Sequence, residues 1–471
     1  MAESAYMQVK LRLTQKDHSA LRAHLLPGDG LEAVAVALCG RRRSRAQHVL
    51  TVRSVVPIPY NECKVRTPDR VTWSTQRLIP LLKEASHRDL GILKIHSHPG
   101  GYGQFSETDD ESDNDIFNSV FGWTDSAFPH ASAVMLPNGR MFGRAILPDG
   151  AFQDLDSIMV PGDDLHFWVP EGIAKPPSFV QRHAQLFGAG TIRRLREMSA
   201  AVIGCSGTGS PVVEQLARLG IGRLVLVDPD RVEDKNLNRI LNASREDAYL
   251  HTLKVEVMAR AIARMGFGTE VEIIPDDLAT PRAVKAVAGC DVVFGCMDGV
   301  EGRHLLNRLA AFYVLPYFDI GVKLEADGIG GIDEACGAVH YIRPDGSTLQ
   351  DRNVYSTEQL RAAGLRRTDP KAYREQLKAG YIHGVNEDRP AVISINMQMA
   401  STAVNEFLAR LHPYRLDGNE DFSVVRTSFV QGMGYCEREE SASGIFFPHT
   451  GKADVRPLLS MPSLSEPEES K

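Results

Sequence analysis

Three stretches of this 471-residue chain carry side chains whose types and spacing suit chemistry. In the first, His96-Ser97-His98-Pro99 closes the apolar run Leu90–Ile95. Residues two apart on extended backbone point the same way, so both imidazoles can reach one cation. Ser106 and Asp109 follow across a short glycine-containing loop. Two imidazoles and a carboxylate leave the fourth position of a tetrahedral zinc site open for water. Bound zinc brings the pKa of that water toward neutrality. A carboxylate must still take the water's proton, and Glu32 is the candidate.

The second stretch is Ala201-Val202-Ile203-Gly204-Cys205-Ser206-Gly207-Thr208-Gly209-Ser210. An apolar strand pattern runs into a glycine turn, and Val212, Val213, Leu216 and Leu219 then recur at helical spacing. A second apolar run, Leu224–Val227, ends at Asp228. Gly204 suits a tight turn, Gly207 lets backbone approach a phosphate, and Gly209 lets helix pack on strand. The helix N-terminus offers N–H groups and partial positive charge to an anion, and Asp228 is placed for a ribose hydroxyl.

The third element of the pattern lies downstream. Asp230, Asn236, Asn238 and Arg239 cluster after the ribose acid, Lys254 opens a helix, and Asp291–Asp298 is another strand ending in an acid. A dehydrogenase has no use for Asn-Leu-Asn-Arg there, whereas an enzyme holding a triphosphate and a metal needs cations and a metal carboxylate.

Residues Val180 to Ile342 resemble the MoeB/ThiF adenylation domain, the core shared with ubiquitin-activating enzymes. The resemblance implies ATP- and Mg²⁺-dependent adenylation of the C-terminal carboxylate of a ubiquitin-like, β-grasp protein. It makes Gly204, Gly207 and Gly209 the nucleotide loop, and Asp228 and Asp230 nucleotide-side acids. Asn236, Arg239 and Lys254 would face the phosphates, and Asp298 would hold Mg²⁺. Arg182 matches the arginine that the family supplies across a homodimer interface. Ser206 departs from the family's usual glycine. The spacing His-x-His-Pro, then Ser-x-x-Asp, over Gly30 to Leu147 resembles the JAB/MPN metalloprotease family. That resemblance implies His96, His98 and Asp109 as Zn²⁺ ligands, Ser106 as oxyanion donor and Glu32 as general base. Members cleave peptide or isopeptide bonds after ubiquitin-like proteins.

The elements that must position these residues read as an α/β chain. An N-terminal JAB/MPN-like α/β zinc domain (1–148) is followed by a linker rich in Pro, Gly and Asp (149–178), within which Leu165–Val169 has a strand pattern. A Rossmann-like adenylation domain with a crossover-like segment (179–459) and a disordered Ser/Pro/Glu tail (460–471) complete it. Ser74 can cap a helix carrying Leu78, Leu81 and Leu82, and Pro-Asn-Gly-Arg at 137–140 signals a hairpin. The basic run Arg41–Arg45 reads as a solvated strand connection.

The formal net charge of −7 and the absence of a basic stripe argue against a nucleic-acid partner. No apolar run approaches the length of a membrane span, and the N-terminus lacks a signal-peptide pattern. Seven scattered cysteines fit a reducing, cytoplasmic setting. Ubiquitin-activating enzymes pass the adenylate to a cysteine, and Cys436, in a polar context, is the candidate. The family's Cys-x-x-Cys zinc motif is absent. Three functions follow: a bifunctional enzyme that trims and activates a ubiquitin-like protein with a conjugating enzyme downstream, a sulfur-carrier activation system, or a non-enzymatic scaffold binding a β-grasp protein.

Overall fold

The computed structural model describes residues 6–172, 175–378, 390–439 and 442–465. Many strands are buried along their whole length, as sheets covered on both faces require. The chain divides into two units.

The first unit runs through residue 172 and also takes in Phe312–Val314 and His449–Leu459. Its elements are β1 (Gln8–Arg12), α1 (Gln15–Leu25), β2 (Val34–Arg43), β3 (Gln47–Pro57), β4 (Cys63–Thr67), β5 (Arg70–Trp73) and α2 (Leu78–Arg88). Then come β6 (Gly91–Ser97), α3 (Glu107–Thr124), β7 (His130–Met135), β8 (Met141–Ile146), β9 (Phe152–Asp154), β10 (Ser157–Pro161) and β11 (Leu165–Trp168). Nine strands form one sheet in the order β11-β10-β1-β3-β2-β6-β7-β8-β9, with β4 and β5 as a separate hairpin. One apolar cluster packs α1 against the sheet through Leu21 and Leu25. The other packs α2 and α3 through Leu78, Leu82, Phe117 and Val120.

Four sequence expectations are corrected here. Residues 149–178 are not a bare connection, because β9, β10 and β11 extend the nine-stranded sheet, with β10 parallel to β1. Residues 449–459 lie with the first unit, where Thr51 donates to the Gly451 carbonyl at 2.8 Å. A Cβ on Gly40 would collide with that carbonyl, so the close approach needs glycine. Arg41 and Arg42 are buried rather than solvated. Arg41 donates to the carbonyls of Pro129 (2.5 Å) and Leu90 (3.2 Å), which satisfy two of its N–H groups. Part of the tail is ordered, since Leu464 is buried in the turn Pro462–Leu464; residues 466–471 lie outside the described residues. Ser74 caps a short 3₁₀ turn, Thr75–Arg77, and α2 follows it directly. The hairpin at 137–140 joins β7 to β8.

The second unit holds α4 (Gln181–Glu197), β12 (Ser199–Ile203), α5 (Gly209–Leu219), β13 (Arg223–Val227), α6 (Arg245–Tyr249), α7 (Lys254–Met265) and β14 (Glu270–Ile274). These are followed by α8 (Pro281–Ala288), β15 (Val292–Gly295), α9 (Val300–Tyr313, its last two residues in the first unit), β16 (Tyr317–Ala326) and β17 (Ile332–Ile342). Helices α10 (Thr357–Thr368), α11 (Pro370–Lys378) and α12 (Ile393–Leu411) and strands β18 (Val424–Ser428) and β19 (Met433–Glu437) complete it. The sheet order is β14-β13-β12-β15-β16-β17-β18-β19, parallel as far as β16. From β12 the chain steps outward to β13 and β14, then returns to β15 on the other side. That reversal places a crevice beyond the carboxyl ends of β12 and β15. The crossover-like segment supplies α10 and α11; its residues 379–389 lie outside the described residues.

Candidate functional site

In the first unit, β6 delivers His96 and His98 in register, and α3 delivers Asp109 from its first turn. Among the described residues these three are the one group whose ligand atoms converge within 4.8 Å. His96 Nε2 lies 2.9 Å from Asp109 Oδ1, His98 Nε2 lies 3.3 Å from Asp109 Oδ2, and the two Nε2 atoms are 3.1 Å apart. His98 Nδ1 is 2.8 Å from the Tyr102 carbonyl. A carbonyl only accepts, so Nδ1 carries a proton, and Nε2 is the nitrogen that faces Asp109, able to ligate a metal once its own proton is lost. Two imidazoles and a carboxylate, with one imidazole already oriented by a carbonyl, fit a zinc ion.

Burial sets the electrostatics. It pushes the His96 pKa down, which favours the neutral, ligating imidazole. Burial would raise that of Asp109, but hydrogen bonds from His96 and His98 outweigh it and hold the carboxyl well below its usual range. Glu32 stands just before β2, with Oε1 4.0 Å from His98 Nε2. Burial is the main cause that raises its pKa to about 7. Ser106 is the N-cap of α3. Its hydroxyl accepts from the Asp109 amide and donates to Asp109 Oδ2 at 2.8 Å, in a capping box. The hydroxyl proton expected to serve an oxyanion is thus committed to the ligand carboxylate.

In the second unit the glycine loop leaves β12 at the switch between β12 and β15. Gly204 has φ +89°, and a Cβ there would sit 2.6 Å from the Cys296 carbonyl. Only glycine takes that conformation and spacing without strain. Asp228, just beyond β13, is buried and accepts from the amides of Cys205 (2.7 Å) and Asp230 (2.8 Å). Burial raises its pKa. Lys254, at the start of α7, donates to Asp230 Oδ2 at 2.7 Å. Asn236 is buried, with its side chain accepting from the Glu233 amide, and Arg239 lies against Gly207. Asp298 is exposed in the loop between β15 and α9; Arg303, whose pKa is raised against its burial chiefly by Asp319, also feels the Asp298 charge as a smaller contribution. An exposed carboxylate oxygen beside this crevice suits Mg²⁺, which takes one or two carboxylates and completes its shell with water and phosphate.

One expected residue is not brought to the loop. Cys436 lies on the edge strand β19, with four strands between it and β12, about 24 Å at 4.8 Å per strand. Burial, then Glu406, raises its pKa, which disfavours the thiolate. Arg182 is exposed on α4. Other residues escaped the sequence reading. Asn396, at the start of α12, faces Gly207. Asp319 accepts from Arg303 (3.1 Å) and Tyr317 (2.6 Å). Asn396 lies nearly two hundred positions beyond the loop, and no local pattern links the two.

Comparison with known proteins gives the same division. Residues 180–423 match the ThiF family, and residues 14–144 match the prokaryotic homologs of the JAB domain. The chain is 39% identical over 114 residues to the mouse adenylyltransferase and sulfurtransferase MOCS3, covering 24% of each chain. It is 33% identical over 123 residues to the SAMP-activating enzyme E1 of Haloferax volcanii, covering 26% of this chain and 45% of that one. It is 31% identical over 147 residues to the ubiquitin-like modifier-activating enzyme 5 of Arabidopsis thaliana, covering 28% and 34%. The chain therefore spans less than half the length of each of these relatives. Among solved structures, Escherichia coli MccB with MccA-N7isoASN aligns at 16% identity with a TM-score of 0.44, over 57% of this chain and 74% of that one.

Proposed function

The chain belongs to the ThiF family, and from that premise we propose that its second unit adenylates the C-terminal glycine of a ubiquitin-like protein while its first unit cleaves the bond after that glycine. The observation that carries the reading is the glycine loop at the β12–β15 switch with Asp228, Arg239 and Lys254 gathered around it. In the adenylation step a modifier carboxylate oxygen attacks the ATP α-phosphorus. The bond to the bridging oxygen breaks and pyrophosphate leaves. Arg239 and Lys254 would offset charge on the phosphates, with Lys254 exchanging its partner Asp230 for phosphate oxygens. Asp298 would hold Mg²⁺, which neutralises phosphate charge when bound. Asp298→Ala should lower modifier-dependent ATP–pyrophosphate exchange by about 10²-fold or more; exchange at the parental rate would remove Asp298 from this role. The reading includes a homodimer in which Arg182 reaches the partner's nucleotide, and sedimentation should show a dimer at micromolar concentration. A fully active monomer would contradict that.

In the first unit, His96, His98 and Asp109 would hold zinc, which acidifies a water and polarises a carbonyl when bound. Glu32 takes the water's proton and returns it to the departing amine. Ser106 would have to release Asp109 to meet an oxyanion. The second reading, sulfur-carrier activation, draws on the likeness to the mouse adenylyltransferase and sulfurtransferase. It shares the adenylation chemistry and differs in the acceptor. A reducing, cytoplasmic setting suits both.

A further inference from the structure

The first seven residues of α3, Glu107-Thr108-Asp109-Asp110-Glu111-Ser112-Asp113, contain no apolar side chain. A helix normally docks by an apolar stripe. Here the buried positions are Asp109, Asp113, Phe117 and Val120, so the two N-terminal ones are both carboxylates. Only beyond Asp113 does the helix join the apolar core. The turn that presents Asp109 must therefore be held to the sheet by something other than hydrophobic contact.

Asp113 supplies that hold. It is fully buried and meets two cations from two strands. Lys94 Nζ donates to Asp113 Oδ1 at 2.7 Å and to Ser112 Oγ at 3.0 Å. Arg144 donates to Asp113 Oδ2 through Nε (3.1 Å) and a terminal nitrogen (2.8 Å), and its other terminal nitrogen pairs with Asp110. The guanidinium lies between the rings of Phe105 and Phe152, 3.9 Å from each centroid. Phe105 immediately precedes the Ser106 cap, and its ring centroid is 6.4 Å from that of His96. The same arginine thus braces both the loop entering α3 and the helix itself.

The spacing matches the metal cluster. Lys94 and His96 are two apart on β6, and Asp113 and Asp109 are four apart on α3. Both pairs share a face of their element. Strand and helix are joined by two adjacent rungs: Lys94 to Asp113, and His96 to Asp109. The capping box ties Asp109 to Ser106 on its own helix, not to the strand.

The geometry points to Asp113, clamped by Lys94 and Arg144, as a positioning residue that aims the Asp109 carboxylate at the two histidines. This rests on reading His96, His98 and Asp109 as zinc ligands. Residues that orient ligands from outside the coordination sphere commonly govern metal affinity by 10- to 100-fold.

The test uses the full chain. Zinc affinity is measured by competition with a chromogenic chelator, and the visible spectrum is taken with cobalt(II) in place of zinc. Asp113→Asn keeps the shape but loses the charge. It should weaken zinc binding by about 10- to 100-fold and lower the tetrahedral cobalt absorption. Lys94→Gln leaves Asp113 paired with Arg144, which preserves folding, and should give a smaller loss of the same kind. Val120→Ala destabilises α3 at its apolar end and should leave zinc affinity within about twofold of the parent, since Val120 touches no ligand. Parental affinity and spectrum in both Asp113→Asn and Lys94→Gln would overturn the assignment. So would an equal loss in Val120→Ala, which would make the effect one of general stability. A parental chain that binds neither metal would instead overturn the zinc reading itself.

Discussion

Glu32 shows what burial does to a single group. Its carboxyl is taken out of water beside His98, and its pKa rises to about 7. A raised carboxyl binds more protons when folded than when unfolded, so the contribution of Glu32 to metal-free stability falls as pH rises from about 4.5 to 7. Glu32→Gln should then stabilise the zinc-stripped chain at pH 8 by about 3 kcal/mol, the worth of a shift of this size, and change little at pH 4. Thermal melts at the two pH values check this. Equal melting of parent and variant at pH 8 would mean that Glu32 is ionised at no cost. The convergence of His96, His98 and Asp109 was legible because the spacing is local: the histidines two apart on a strand, Ser106 and Asp109 three apart at a cap. Asp113, Lys94 and Arg144 were not. Asp113 belongs to the acidic run that opens α3, and nothing local reveals that cations from β6 and β8 meet it in the interior.

At the scale of elements, the glycine loop, α5 and the strands around it are read directly from apolar runs and turn residues. Gly209 shows how tightly they fit. A Cβ there would collide with the Gly204 carbonyl, a backbone atom that cannot turn aside. Gly209→Ala should cost about 1–3 kcal/mol and depress ATP–pyrophosphate exchange beyond the loss of folded protein. Gly190→Ala, on α4 where a Cβ meets nothing, should be neutral or stabilising. Equal stability and exchange in the two variants would contradict the packing argument. What sequence could not supply is long-range pairing. The polar stretch after Gly150 reads as a linker because its strands are three to five residues long, and only β1, some 150 positions earlier, makes β10 a sheet strand. Likewise, residues 449–459 have too little periodicity to announce that they lie with the first unit. Arg41 reads as a solvated charge until the carbonyls that bind it are seen.

For the molecule as a whole, the proposed function puts cleavage of a bond after a terminal glycine and activation of that glycine on one chain. On that proposal the two chemistries meet on one substrate tail. A ubiquitin-like protein bearing a C-terminal extension presents no free glycine carboxylate, so it should support ATP–pyrophosphate exchange only after it has been trimmed. The decisive measurement is exchange by the zinc-loaded chain on such an extended modifier, beside the Glu32→Ala variant. The parent should show a lag and then full exchange. Glu32→Ala should exchange on a modifier already ending in glycine but not on the extended form. Immediate exchange by Glu32→Ala on the extended modifier, or no exchange by the parent even on the trimmed one, would contradict the account.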